Sequence, residues 1–555
     1  MSLPQWTSRF TDDTVPGEDH LGIEGAAQGY QQYLIPGIIT TTDHARYYSF
    51  YAWVLYRFIY DENSSRLLAD FRGPYFRRHE VAFILGCYSH HKDTGVITGL
   101  VGGGTNNSKA RRMWESSDPS PLDVDYFNNK LGGFGQYYRT AMQAMGLVAD
   151  AERPRWVYRL TNRGRALAEA FEASIRDTAY FSALKKQGQL TSLAHEAALE
   201  YGSRGCLCSR VLSTSVDRSL LWDAFFRFDR STDVRDPHAR RRLTLGLILD
   251  LTAKSGKIPL QQSMRPALYL GEYAAGHRYE PADALSEWYT RWRLVQARHT
   301  YTSAIQLLWA AFLGRLWDVQ DRGMTFSEFM DWVNAQLPSD QASVRVSEYL
   351  NQLCAATGLK GRWDRDYPLF DVTRKLGDRT DEYAMYIDAL EERGSPSVLI
   401  GSAVCILSQF FLRFHGLHQS ADSTWLEMAR RPRLPIAQFF SDMRYQLGMP
   451  DWTVRRFLEW LYREYILGQH ESIALEKLRY QQYDTFKFYY QDDVFRWPYG
   501  SKYSEPLRYP ALRLENGLSI LIDLGLVEED QGGVCRLTDD GQRHLTCVLE
   551  AAGGN

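Results

Sequence analysis

Apolar residues recur at i, i+3, i+4 and i+7 over long stretches of the chain, the spacing that lines one face of a helix. The clearest runs are Trp288 to Trp317, Phe326 to Leu337, Val398 to Phe414 and Val454 to Leu475. In the first of them Trp292, Val295, Ile305, Leu308 and Trp309 fall in phase. Strand-like alternation is rare and short. The pattern predicts a mainly α chain with small β additions, an α+β fold. The longest apolar stretch, Val398 to Leu412, has ~15 residues where a membrane span needs ~20. It also contains Ser402, Ser408 and Gln409, so it predicts a buried core helix and no membrane contact.

Two segments share one pattern. Phe134 to Phe171 reads FGQYYRTAMQAMGLVAD, a polar turn around Pro154, then WVYRLTNRGRALAEAF. Pro510 to Leu549 reads PALRLENGLSILIDLGLVEED, then QGG, then VCRLTDDGQRHLTCVL. Gly146-Leu147-Val148 matches Gly525-Leu526-Val527, and Leu160-Thr161 with Gly164 matches Leu537-Thr538 with Gly541. Each predicts a helix ended by a left-handed glycine, two short strands joined by a turn, and a closing helix capped by threonine. This resembles the winged-helix pattern. It implies a DNA contact for the first copy, whose helix and wing carry Arg139, Arg153, Arg155, Arg159, Arg163 and Arg165. The second wing is acidic, with Glu528, Glu529, Asp530, Asp539 and Asp540, and is expected to be structural or to bind a protein partner. The layout predicts four consecutive parts. These are 1–175 with the N-terminal signature and first winged helix, a helical middle region 176–395, a helical domain 396–500, and the second winged helix 501–555.

Near the N-terminus, LGIEGAAQGYQQYLIPGIITTTDHARYYSFYAWVLYRF spans Leu21 to Phe58. Thr40 and Thr42 stand where a helix should start, and an anion is favoured at such a terminus. Arg46 is placed to face the same site, and Tyr47 and Tyr48 offer faces for stacking. A second candidate is the run Val96 to Trp114, VITGLVGGGTNNSKARRMW. Gly102, Gly103 and Gly104 allow a backbone nest or a close approach to a ligand, followed by Asn106, Asn107, Lys109, Arg111 and Arg112. It is neither a Walker A loop nor G-x-G-x-x-G, so no nucleotide cofactor is expected.

Composition narrows the picture a little. The 555 residues hold 64 Lys and Arg against 67 Asp and Glu, a net charge of −3, so a basic surface must be local. The seven cysteines form no C-x-x-C pair, Cys206 and Cys208 are a weak signal, and His90-His91 has no metal-ligand partner at useful spacing. His79-Glu80 lacks the second histidine of H-E-x-x-H, and G-x-S-x-G is absent. No metal and no cofactor are expected. Arg240-Arg241-Arg242 reads as a solvated run or a phosphate clamp, and the Arg291 to Tyr301 stretch as an amphipathic support helix or a groove wall. The polar, acidic start MSLPQWTSRFTDD has no apolar run, which with the scattered thiols predicts a cytoplasmic protein.

The signature L-x-P-G-x-x-T-x-T-x-x-A-R-Y-Y-S-F-Y-x-W resembles a group of bacterial proteins found near phage-defence genes, which carry Arg where His44 stands here. The tandem arrangement is similar to that of winged-helix DNA glycosylases, and resembles a defence DNA glycosylase that excises glucosylated hydroxymethylcytosine. The resemblance implies double-stranded, modified phage DNA as the partner and a flipped base hydrolysed from its sugar without a metal. No catalytic motif carries over residue by residue. By residue chemistry, the candidates are the carboxylates Asp43 and Glu24 and the amides of Asn106 or Asn107. The competing expectation is a non-catalytic DNA-binding module of a defence or regulatory complex.

Overall fold

The computed structural model describes residues 19–60, 74–126, 128–149, 158–256, 260–274, 277–356, 363, 382–419, 433–481, 484–504, 506–508 and 510–553. The fold is mainly helical, with small antiparallel sheets of two or three short strands. The helical periodicities become the helices Ser286–Asp318, Phe326–Ala335 and Pro396–Gln419, and a run from Val454–Trp460 through a wider turn into Gly468–Gln481. Phe326–Ala335 opens on a capping box, with Thr325 and Glu328 each satisfying the other's backbone N–H.

The chain divides into two compact units. One is drawn from Met1–Tyr30, Arg265–Arg278 and Thr290–Pro510, the other from Gln31–Met264, Tyr279–Tyr289 and Ala511–Asn555. These boundaries do not coincide with the four consecutive parts read from the sequence: both glycine–hairpin–threonine segments fall in the second unit. Side-chain bonds between distant stretches explain this, since Gln31 bonds both Ala511 O and the Arg513 N–H.

The first unit has an aromatic core, in which Trp309 stacks with Phe312, and Phe312 meets Phe329 edge-on. Arg413 and Glu382 form a two-pronged ion pair inside it, both bonds 2.9 Å long and both side chains shut off from solvent. Pro396–Gln419 is long and apolar enough to cross a membrane, but 72% of its most apolar window is buried inside the fold. Its apolar side chains, among them Ile400, Val404, Leu407 and Phe411, are fully enclosed, as predicted for a core helix.

In the second unit the helix Arg46–Tyr60 packs on Asn162–Ile175, and Pro74–His91 packs on His195–Gly205. The latter pair meets backbone to backbone, because a Cβ on Gly202 would overlap the Gly86 carbonyl. Two of the three consecutive arginines are buried, and the half-buried Arg240 bonds the carbonyls of Tyr33, Val234 and Arg235. Arg241 bonds the carbonyls of Ala224, Phe225 and Pro36, and Arg242 those of Phe226, Arg227 and Ser231. Two guanidinium groups thus satisfy the last carbonyls of the helix Arg218–Phe226, where cations are favoured.

The two repeated segments share the bonds that end the first helix and start the closing one, while the turn around Pro154 in the first copy lies outside the described residues. Gly146 and Gly525 sit at φ 69° and 67°. Thr161 Oγ1 donates to Gly146 O at 2.7 Å, and Thr538 Oγ1 to Gly525 O at 2.8 Å. The same hydroxyls accept the N–H of Gly164 and Gly541 and so start the closing helices. A Cβ on Gly164 would overlap Leu147 O, and one on Gly541 would overlap Leu526 O. The strands pair as Val148 with Leu160 and Val527 with Leu537.

Candidate functional site

The signature builds one wall of the site. Pro36-Gly37 turns the chain, with Gly37 at φ 88°. The hydroxyl of Thr42 then bonds Ile39. The helix starts at Arg46, and its N-terminus is capped from far away: Asp523 accepts the Ala45 N–H at 3.0 Å and His44 Nδ1 at 2.9 Å. A carboxylate of the chain itself therefore fills the place expected to hold an anion, and Thr42 is buried.

His44 bridges two walls. Its other ring nitrogen lies 2.8 Å from Thr98 O. Both partners are acceptors, so both nitrogens must donate, which is the protonated form. Burial opposes the charge, but Asp523 and Thr98 outweigh it and raise the pKa to about 9.

The glycine-rich loop forms the facing wall. Gly99, Gly102 and Gly104 take positive φ, as do Asn106 at 48° and Asn107 at 59°. Glycine is required at Gly102, where a Cβ would lie 2.5 Å from Tyr126. The loop is pinned by the Val101 N–H donating to Tyr47 Oη at 2.8 Å, and by Lys109 Nζ donating to Tyr126 O at 3.0 Å. The N–H groups of Lys109 and Ala110 go to Gly103 O, so they are not a phosphate nest. Arg111 and Arg112 are exposed on the helix Ser108–Ser116 behind.

Between the two walls lies a pocket of about 420 Å³. Its lining includes Thr40, Asp43, Gly102, Asn106, Asn107 and Tyr137. Asp43 is half-buried, its Oδ1 accepting from Asn516 Nδ2 at 2.6 Å. Asn107 donates to Ile97 O, while its own amide oxygen is enclosed without a partner. Tyr137 belongs to the turn Phe134–Tyr138 that leads into the helix Arg139–Ala144. The pocket thus offers a carboxylate, amides, hydroxyls, open backbone and one aromatic wall.

Several expected residues are elsewhere. Arg46 is fully enclosed and bonds Cys206 O at 2.8 Å, Ser215 Oγ at 2.7 Å and Asp217. It is a core cation and does not line the pocket. Tyr47 and Tyr48 are buried among Tyr138, Phe83 and Phe225, so they cannot stack on a ligand. Glu24 lies in the first unit beside Asp19 and is not a pocket residue. Gly103 is buried and shapes the loop from within. Arg139 is half-exposed and bonds Tyr158 Oη at 3.0 Å. Arg163 pairs with Asp229 and Arg165 with Glu169. Arg153 and Arg155 lie outside the described residues.

Three residues important to the site gave no usable signal in the sequence. Tyr137 is hidden in an aromatic run. Asn516 and Asp523 act across 473 and 479 residues. Beneath the loop, Glu80 is buried and bonded by Tyr126 Oη and the N–H groups of Gly133 and Phe134. Burial pushes its pKa up to about 7 against those donors. A Cβ on Gly132 would overlap its carboxylate, so Gly132-Gly133 is the cradle of this buried acid. Apart from the pocket, His90, His91 and Cys208 come together, correcting the expectation that the histidine pair has no ligating partner.

No known family model matches this chain, and neither the curated proteins nor the solved structures give a match.

Proposed function

We propose that the two repeated segments are winged helices and that the protein is a cytoplasmic anti-phage DNA glycosylase, flipping a modified cytosine of double-stranded DNA into the Asp43 pocket. The observation that carries this reading is Tyr137. It walls the pocket and sits in the same helical segment that a winged helix lays against a duplex. The outer side of that segment is polar, with Gln136 and Thr140 exposed. The corresponding helix of the second copy, Arg513–Asp523, has most of its residues buried and serves the first wall instead. The pocket volume suits a ligand of nucleoside size.

In this mechanism the base stacks on Tyr137 and is read by the amide of Asn106 or Asn107. As the bond from base to sugar breaks, positive charge develops on the sugar, and the Asp43 carboxylate stabilises it or orients the attacking water. Asn516 fixes the carboxylate by bonding one oxygen and leaving the other for the reaction. Lys109, Arg111 and Arg112, with Arg139, would hold the phosphates on either side. The departure at His44 is conservative under this reading, since an imidazolium donating at both nitrogens replaces a guanidinium.

The test uses duplexes with and without glucosylated hydroxymethylcytosine, followed by alkali or an abasic-site endonuclease. Strand breaks confined to the modified duplex are expected, with Asp43→Asn reducing them at least ~100-fold if it acts as an acid–base or charge-stabilising group. Tight, salt-sensitive binding of both duplexes without breaks would instead favour the non-catalytic DNA-binding module. A full rate in Asp43→Asn would remove Asp43 from the mechanism.

A further inference from the structure

The helix Pro74–His91 ends on two adjacent histidines, and the helix His195–Gly205 beside it runs out into Cys206-Leu207-Cys208. The close backbone contact at Gly86 and Gly202 brings these two ends together. One ligand atom each of His90, His91 and Cys208 lies within 4.8 Å of the other two. The thiol of Cys208 is hydrogen-bonded to that of Cys206, and Cys206 is in turn linked to Cys87 on the histidine helix. The Cys208 thiol is hydrogen-bonded to His91 as well, and the Nε2 atom of His91 is shielded from solvent. Two imidazoles and a thiol therefore meet in one half-buried cluster of soft donors.

From this arrangement we infer a structural site for a zinc-class divalent cation, held by His90, His91 and Cys208 with Cys206 as the fourth ligand. Imidazole and thiolate are the donors such an ion selects, in tetrahedral Cys2His2 sets. Bonds of about 2.0–2.3 Å place tetrahedral ligand atoms ~3.5 Å apart, so His90, His91 and Cys208, within 4.8 Å of one another, close on an ion by moving about 1 Å, and Cys206 must turn in from its contact with Cys208 to complete the set. The C-terminus of an 18-residue helix adds partial negative charge at the same place. When the ion binds, both thiols lose their protons to solvent and two S–metal and two N–metal bonds form, with no change of oxidation state. The ion would tie the helix Pro74–His91 to the segment whose Cys206 carbonyl receives Arg46.

The experiment uses the full chain. Purified protein, dialysed against metal-free buffer, is assayed for bound zinc, then stripped and titrated with Co(II). One equivalent of zinc is expected, together with the intense visible bands of tetrahedral Co(II) and a near-ultraviolet sulfur-to-cobalt band. Cys208→Ser is expected to weaken the sulfur band and lower the zinc content well below one equivalent, and His91→Asn to lower the content alone. Thiol alkylation of the unaltered protein gives a readout that needs no variant: zinc should protect Cys206 and Cys208 while leaving the exposed Cys547 reactive. Absence of both retained zinc and a cobalt spectrum overturns the proposal. So does a spectrum unchanged in Cys208→Ser, or a Cys87–Cys206 disulfide in place of free thiols.

Discussion

Two titratable side chains, the half-buried His44 and the buried Glu80, should make the stability of the second unit depend on pH. His44 has a folded-state value of about 9 against an ordinary 6.5. Its stabilisation is therefore complete below about pH 6.5 and is lost as pH rises through 9. His44→Asn should lower thermal stability at pH 6 and flatten the decline between pH 7 and 9; an unchanged profile would show that the His44–Asp523 bridge does not hold the charge. Glu80 is raised from 4.5 to about 7, because burial outweighs the donors around it. Its favourable contribution is complete below pH 4.5 and is lost as pH rises through 7. A glutamine keeps an acceptor for the Gly133 and Phe134 N–H groups and cannot ionise. Glu80→Gln should therefore raise the melting temperature at pH 8 while changing little at pH 5, as followed by circular dichroism. In the first unit, Glu382→Ala leaves Arg413 charged and enclosed, and should cost about 3–5 kcal/mol in denaturant unfolding.

At the scale of elements, legibility followed locality. The glycine that ends a helix and the threonine that starts the next act within a few residues, so both repeated segments could be read from the sequence and were found with matching bonds. The long amphipathic helices were legible for the same reason. Arg46 was not, because its partners Cys206, Ser215 and Asp217 lie at least 160 residues away. An arginine beside a threonine-rich turn looks the same whether it meets a ligand or a buried aspartate. The tyrosines after it lie in the core rather than on a ligand, because an amphipathic aromatic stripe serves a core as well as a binding surface. Asp43 and the asparagines of the loop were legible as polar groups next to glycines, whereas their meeting in one pocket was not. The close approach within each repeat can be tested directly. Gly164→Ala and Gly541→Ala each push a methyl group into a backbone carbonyl and should destabilise by roughly 1–3 kcal/mol, within the range for overpacking. Substitution of Gly256, around which nothing lies within 4 Å but whose φ is 68°, serves as a control for backbone strain alone.

For the molecule as a whole, the second unit is assembled from stretches near both ends of the sequence. Asp43 waits for Asn516, His44 for Asp523 and Gln31 for Arg513. During synthesis, the ribosome therefore releases the signature long before its supports exist. Until residues 511–553 emerge, the start of the helix Arg46–Tyr60 has no cap, and Asp43 has no amide to orient it. A nascent or prematurely terminated chain would carry the pocket's loop and its basic helix without a set carboxylate. The proposed chemistry of Asp43 is thereby withheld until residues 511–553 have been made, so a chain cut before residue 511 should be inert at this pocket even where its first unit folds normally.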